Sequence, residues 1–223
     1  QSDWKIPPWV PYYNNLISAL EDAGYHKNQN LFVFAYDWTK PVDLIADDLR
    51  DYIHSVIDPP EGVEINLIGH SLGGLVGRAY IQENPSNHGV NNLITLGSPH
   101  KGAPQVYKAW EGADLHDLMA QPWRLLAELL LAARGRDYST RVEAIRNLAP
   151  VLRDLLPIFD YLKWNSSSET IPETSLPENS RNLWLTNIGV PSYLLELLST
   201  VVGTIGDTPR WLRLVPRDRT DEI

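Results

Sequence analysis

The sequence predicts an α/β fold: a parallel sheet covered by helices and interrupted by a helical insertion. Three observations carry this prediction. Short apolar runs of strand length alternate with helical periodicity through the first hundred residues. A glycine-framed serine stands directly between one such run and a helical segment, and a leucine-rich stretch without strand character follows.

Taken in order, Tyr13, Leu16, Ile17 and Leu20 recur at helical spacing and Gly24 suits a C-terminal cap, so a helix is expected from Pro11 to Gly24. Leu31 to Tyr36 has the length and apolarity of a strand. A second helix begins at Pro41, with Asp43 in its first turn and Ile45, Leu49, Ile53 and Val56 forming one stripe, and it ends at Pro59 and Pro60. Val63 to Ile68 reads as a strand, Leu75 to Gln82 as a helix broken by Asn84-Pro85, and Asn92 to Leu96 as a further strand. Strands separated by helices of this length pair in parallel through right-handed crossovers and are buried on both faces.

After Pro104 the rhythm becomes helical, dense in leucine from Leu115 to Leu131 and again from Val142 to Leu162. Trp164 to Asn182, rich in Ser, Pro and Glu, reads as a loop, and Tyr193 to Ile205 as an apolar segment returning to the sheet. The expected organisation is therefore a core over residues 1–104, a helical cap and loop over 105–182, and a return to the core over 183–223.

Composition excludes several function classes. The 223 residues are 43% apolar, enough for one sizeable core. The net charge is -9, from 28 acidic and 19 basic residues without a Lys/Arg-rich run, so no nucleic-acid partner is expected. The absence of cysteine removes disulfides, thiolate metal sites and a cysteine nucleophile together. No cofactor or metal is expected, and no apolar run approaches the roughly 20 residues of a membrane span. Gln1 at the start and Asp221-Glu222-Ile223 at the end read as the limits of a fragment or processed product.

Gly69-His70-Ser71-Leu72-Gly73 matches G-x-S-x-G, follows an apolar run directly, carries an extra Gly74 and opens a helix. That is the strand–turn–helix setting of a nucleophile elbow. Gly69 and Gly73 are expected to clear space where strand and helix backbones approach, so that Ser71 at the apex can take a strained conformation and present its hydroxyl. The Leu72 amide, at the helix N-terminus, is the expected oxyanion donor. The bland alternatives are a glycine-rich turn with an incidental serine, or a phosphate cradle, although the lysine of G-x-x-x-x-G-K-[ST] is lacking.

A triad of this type runs Ser, then Asp or Glu, then His along the chain. The histidines are His26, His54, His70, His88, His100 and His116, and none follows Asp137, Asp154, Asp160, Asp207, Asp218 or Asp221. Glu83 and Asp114 lie too close to the elbow helix and to His116 to complete the set. His70 is expected to point away from the serine into a packing role, and His100 to be structural. The general base is expected outside this segment.

Tyr36-Asp37-Trp38, Gly69 to Gly74 with Arg78 and Tyr80, Leu96 to Pro104 (Leu-Gly-Ser-Pro-His-Lys-Gly-Ala-Pro), and Asp154-Leu155-Leu156-Pro157 through Asp160-Tyr161-Leu162 together carry a family likeness. The chain resembles the lecithin:cholesterol acyltransferase-like lipases and acyltransferases, especially bacterial members. The resemblance implies a partial α/β-hydrolase fold, Ser71 as nucleophile, Leu72 as an oxyanion amide, and Ser98 to Pro104 as a loop bordering the site. It implies a catalytic acid in a Gly-Asp-Gly-Thr-Val-Pro-like segment and a histidine beyond it, neither of which is present, with Asp207 after Gly203 the weak candidate. It also places the first strand and a glycine-rich oxyanion loop before Gln1, and a secreted or cell-surface setting.

The leading function is thus cleavage or transfer of an acyl ester, with a lipid or other acyl-ester substrate and contact with a membrane or micelle surface. The alternatives are an esterase resembling an inositol deacylase of glycolipid anchors, and a non-catalytic binding module. A mobile cap over Gln105 to Leu162, separate from the core, is expected to control acyl-chain access.

Overall fold

The computed structural model describes residues 13–117, 123–204 and 208–215. Helix α1 (Asn14–Asp22) ends as expected: Gly24 takes a φ of 97° and Tyr25 N–H donates to the Leu20 carbonyl at 3.0 Å. Leu31 makes a single isolated bridge with Lys27, and residues 32–36 join no ladder. The strand expected from Leu31 to Tyr36 is therefore not formed. A strand needs a neighbouring edge to satisfy its backbone, and apolar spacing is silent about whether one exists. Phe34 and Tyr36 instead stack at 5.5 Å and pack against the core.

Helix α2 (Val42–Tyr52) buries Ile45 and Leu49, then widens into a π-helical turn, Ile53–Ile57, closed by Asp58 N–H donating to the Ile53 carbonyl at 2.8 Å. Ile53 stays buried, but Val56 is exposed. The wider turn advances fewer degrees per residue and carries Val56 off the stripe to which a regular helix would assign it.

Strands β1 (Ile65–His70) and β2 (Val90–Leu96) are joined by helix α3 (Leu72–Glu83) and pair in parallel from Ile65 opposite Val90 to His70 opposite Leu96. Leu67, Gly69, Leu93 and Thr95 share one face, and α3 packs there so closely that a Cβ at Gly77 would meet Leu93 at 2.8 Å. On the other face Asn66, Ile68 and His70 are exposed among the described residues, and Asn92 donates to Asn66 at 2.7 Å. Burial of the sheet on both faces thus holds only for the α3 side.

The insertion comprises α4 (Val106–Gly112), α5 (Trp123–Arg134), α6 (Arg141–Leu148) and α7 (Val151–Asp154). The second leucine-rich stretch is helical only to Asp154, and Leu162 begins strand β3 (Leu162–Trp164), paired antiparallel with β4 (Thr170–Ile171). Helices α8 (Leu183–Ile188) and α9 (Ser192–Leu197) lead to β5 (Leu198–Val201), which joins β2 in parallel from Leu93 opposite Leu198 to Leu96 opposite Val201. β6 (Leu212–Leu214) then pairs with β3. The main sheet therefore runs β1-β2-β5, and the small one β4-β3-β6.

One apolar core joins these parts. Val42, Ile45, Leu75 and Leu93 belong to the same buried cluster as Val106, Ala109, Trp110, Ile145, Val151 and Leu152. Helices α4, α6 and α7 are thus continuous with the sheet's core, contrary to a cap separate from it over the whole of Gln105 to Leu162. Among the described residues no helix is long and apolar enough to cross a membrane.

Candidate active site

Ser71 sits where β1 ends and α3 begins. It has φ 52° and ψ -122°, a region L-residues rarely occupy, and its N–H is held by the Leu96 carbonyl at 2.9 Å. The side chain is exposed, and among the described residues its hydroxyl has no hydrogen-bond partner. The Leu72 N–H, first in α3, lacks an intrahelical acceptor by construction and lies at the positive end of the helix.

The close approach that allows this turn is specific in its residues. A Cβ at Gly69 would fall 2.5 Å from the Gly74 nitrogen and 2.6 Å from the Gly73 carbonyl. At Gly73 a Cβ would meet only the Tyr36 hydroxyl, at an ordinary 3.6 Å. The crowding expected at Gly73 falls instead on Gly74, where a Cβ would lie 2.0 Å from Ser98 Oγ. The extra glycine after the motif was the signal for this. Burial, then the neighbouring Tyr13, push the Tyr36 phenol up to about 12, so it faces Gly73 as a neutral hydroxyl.

The loop after β2 walls the elbow. Ser98 Oγ reaches toward the Gly69 carbonyl at 3.5 Å, and Gly102 adopts φ 82° where a Cβ would fall 2.2 Å from the Leu156 carbonyl oxygen. Ala103 N–H donates to Leu155 at 2.9 Å, and Ile158 N–H to Lys101 at 3.1 Å. Beneath the wall lies Arg78, 2% exposed, donating to Gln82 at 2.7 Å, to the His100 carbonyl at 3.3 Å and to the Gly189 carbonyl. Burial lowers its pKa. A guanidinium within an otherwise apolar helix was visible in the sequence, but its backbone partners, up to 111 positions away, were not.

No histidine among the described residues is brought to Ser71 by a hydrogen bond. His70 is exposed and turns to Tyr13, whose hydroxyl is 3.0 Å from Nδ1. His100 Nε2 contacts Thr95 Oγ1 at 3.1 Å, while its buried Nδ1 lacks a partner among the described residues. Burial, then Arg78, hold its pKa below the usual range, so His100 remains neutral. His88 accepts from Val90 N–H, and His116 lies beside Asp117 on the surface. Asp207, together with Asp218 and Asp221, lies outside the described residues. No group of three or more His, Asp or Glu side chains among the described residues is arranged to hold a metal.

Comparison with known proteins locates the family. The model of the family described as palmitoyl protein thioesterase matches residues 21–145, more than half of the chain, including the elbow. Among relatives, a protein named GPI inositol-deacylase of Chaetomium globosum is 24% identical over 42% of this chain and 10% of its own length. Another of that name from Kluyveromyces lactis is 26% identical over 61% and 15%. Lecithin-cholesterol acyltransferase-like 4 of Arabidopsis thaliana is 27% identical over 43% and 18%. The chain thus spans less than a fifth of the length of these curated relatives. The parallel sheet flanked by helices and these relatives support the lecithin:cholesterol acyltransferase-like assignment within the α/β-hydrolases, and the chain belongs to the palmitoyl protein thioesterase family.

Proposed function

We propose that Ser71 is the nucleophile of a serine hydrolase or acyltransferase acting on acyl esters of lipids. The observation that carries this is its backbone at φ 52°, ψ -122°, exposed between β1 and the N-terminus of α3. Such strain persists only where surrounding structure enforces it, and here Gly69 and Gly74 supply the room. In the proposed reaction Ser71 Oγ bonds to the acyl carbonyl carbon as a general base takes its proton. The oxyanion accepts from Leu72 N–H, the carbon–oxygen bond to the alcohol breaks, and the proton passes to the leaving oxygen. Water or a second alcohol then takes the acyl group from Ser71. A thioester would react by the same steps with a thiol leaving. None of the six histidines is hydrogen-bonded to Ser71 among the described residues, and in this reading the base comes from a group outside them.

A second reading, removal of an acyl chain from a glycolipid inositol, is favoured by the relatives named GPI inositol-deacylase. Profiling the intact protein on acyl-inositol and phospholipid substrates separates the two.

The test of the nucleophile is labelling of the intact protein by a fluorophosphonate probe. Ser71→Ala removes one exposed hydroxyl and should abolish labelling while the melting temperature stays within about 2 °C. Labelling of the alanine variant at the parental level, or an unlabelled parent, rejects the assignment and leaves a binding module.

A further inference from the structure

We propose that the small sheet β4-β3-β6 is a docking surface for anionic phospholipid membranes. Lys163 and Arg213 are register partners across β3 and β6 and therefore share a face, and both turn their cations onto one indole. The Lys163 Nζ lies 4.5 Å and the Arg213 guanidinium 5.3 Å from the centre of the Trp211 ring. Trp211 and Val215, two positions to either side of Arg213, extend that face and are exposed, as is Arg210 beside it. Trp164, also exposed, follows Lys163 in the strand and therefore lies on the opposite face.

Charge and apolarity together select the occupant. Among the described residues Lys163, Arg210 and Arg213 form no ion pair, although the chain as a whole carries -9. Of the acids near them in sequence, Asp160 already accepts from Glu173 N–H at 2.8 Å, Glu169 is exposed, and Asp207 and Asp218 lie outside the described residues. Cations without an ion pair among the described residues, set beside an exposed indole and valine, fit an interface with phosphates outside and hydrocarbon inside. Indoles seat at the headgroup level, and lysine and arginine stems lie along apolar surface while their charges reach phosphate. A nucleic acid would use the charges but leave the exposed Val215 without a role.

Position gives the surface a purpose, and this step rests on the acyl-lipid reading of Ser71. β3 begins four residues after Ile158, which is bonded to Lys101 in the loop walling the elbow, so at most roughly 15 Å of chain separates them. Leu212 N–H is tied to the Tyr161 carbonyl at 2.7 Å, which fixes β6 to the same segment. Docking through the small sheet would hold the elbow near the bilayer from which an acyl lipid is drawn.

The test is pelleting of the intact protein with phosphatidylcholine vesicles, with and without phosphatidylserine, at low and raised salt. Binding is expected only when phosphatidylserine is present and should weaken with salt. Lys163→Gln with Arg213→Gln should lower the partition coefficient about 25-fold, at about fivefold per neutralised cation. Trp211→Ala should also lower it, and Arg134→Gln, an exposed cation elsewhere, should not. Equal binding to both vesicle types, or parental binding by the double variant, overturns the proposal. So does a failure to pellet while RNA is bound through Lys163 and Arg213. Pelleting does not depend on probe labelling at Ser71, so either reading can fail while the other stands.

Discussion

At the scale of single residues, the elbow rests on two contacts that differ sharply in tolerance. Gly74 faces Ser98 with no room for a methyl group, whereas Gly73 faces only the Tyr36 hydroxyl across an ordinary contact distance. Gly74→Ala must push Ser98 aside or shift α3, and overpacking of this kind costs about 1–3 kcal/mol. Gly73→Ala adds a methyl group to a helical position with space and should change stability by less than about 0.5 kcal/mol. Chemical denaturation of the two variants separates them, and equal losses would show that Ser98 is not the limiting contact. Replacing Ser98 by glycine in the Gly74→Ala background should recover part of the loss.

At the scale of elements, the insertion divides into an anchored and a peripheral part. Val106, Ala109 and Trp110 of α4, Ile145 of α6 and Val151 and Leu152 of α7 lie in the common core. Trp110 is also fixed by its Nε1–H to the Asn179 carbonyl at 2.7 Å and by the Arg146 guanidinium 5.1 Å above its ring. α5 packs mainly against the short turn that follows it and α6, and Leu129 is 60% exposed. If any part of the insertion gates acyl chains, it is α5, because elements with few buried contacts open at the lowest cost. Hydrogen exchange on the intact protein should find 123–134 less protected than β1, and more protected when substrate micelles are added. Protection equal to that of β1 and unaffected by micelles would identify α5 as a fixed layer.

At the scale of the whole molecule, the core is tied across its parts by Asp154. Its carboxylate accepts from Val42 N–H at 2.9 Å at the start of α2, where Pro41 offers no side-chain cap, and its carbonyl accepts from the buried Asn182. Burial outweighs that hydrogen bond and, with Asp43 adding repulsion against the weaker pull of Arg153, raises the carboxyl to about 6. The folded pKa therefore exceeds the unfolded one, so the folded state holds the proton more tightly. The group's destabilising effect is absent below the unfolded value and complete above about 6. Acidification from pH 7 to 5 should relieve part of a penalty of roughly 2–3 kcal/mol. Asp154→Asn keeps an acceptor for Val42 without the charge, so its stability should lose this component of the pH dependence. Parallel denaturation curves for parent and variant at both pH values check it, and an identical pH response in the two would remove Asp154 from the account.

By itself the sequence determined what depends on neighbours along the chain. The α1 cap at Gly24, the order β1, turn, α3, β2, and the placing of Ser71 at the apex follow from spacing, glycine and local apolarity. The return of Leu198–Val201 to the sheet was likewise legible as an apolar run. Only the tertiary structure decided matters that need a partner distant in sequence. The run from Leu31 to Tyr36 lacks a ladder because no edge among the described residues meets it. The close approach belongs to Gly74 because Ser98 arrives from another loop, and α4, α6 and α7 join the core because their buried residues fall in one apolar cluster with those of α2 and α3. The physical reason is common to all three: periodicity tells which side of an element is apolar, whereas pairing and packing depend on which surface the folded chain brings against it.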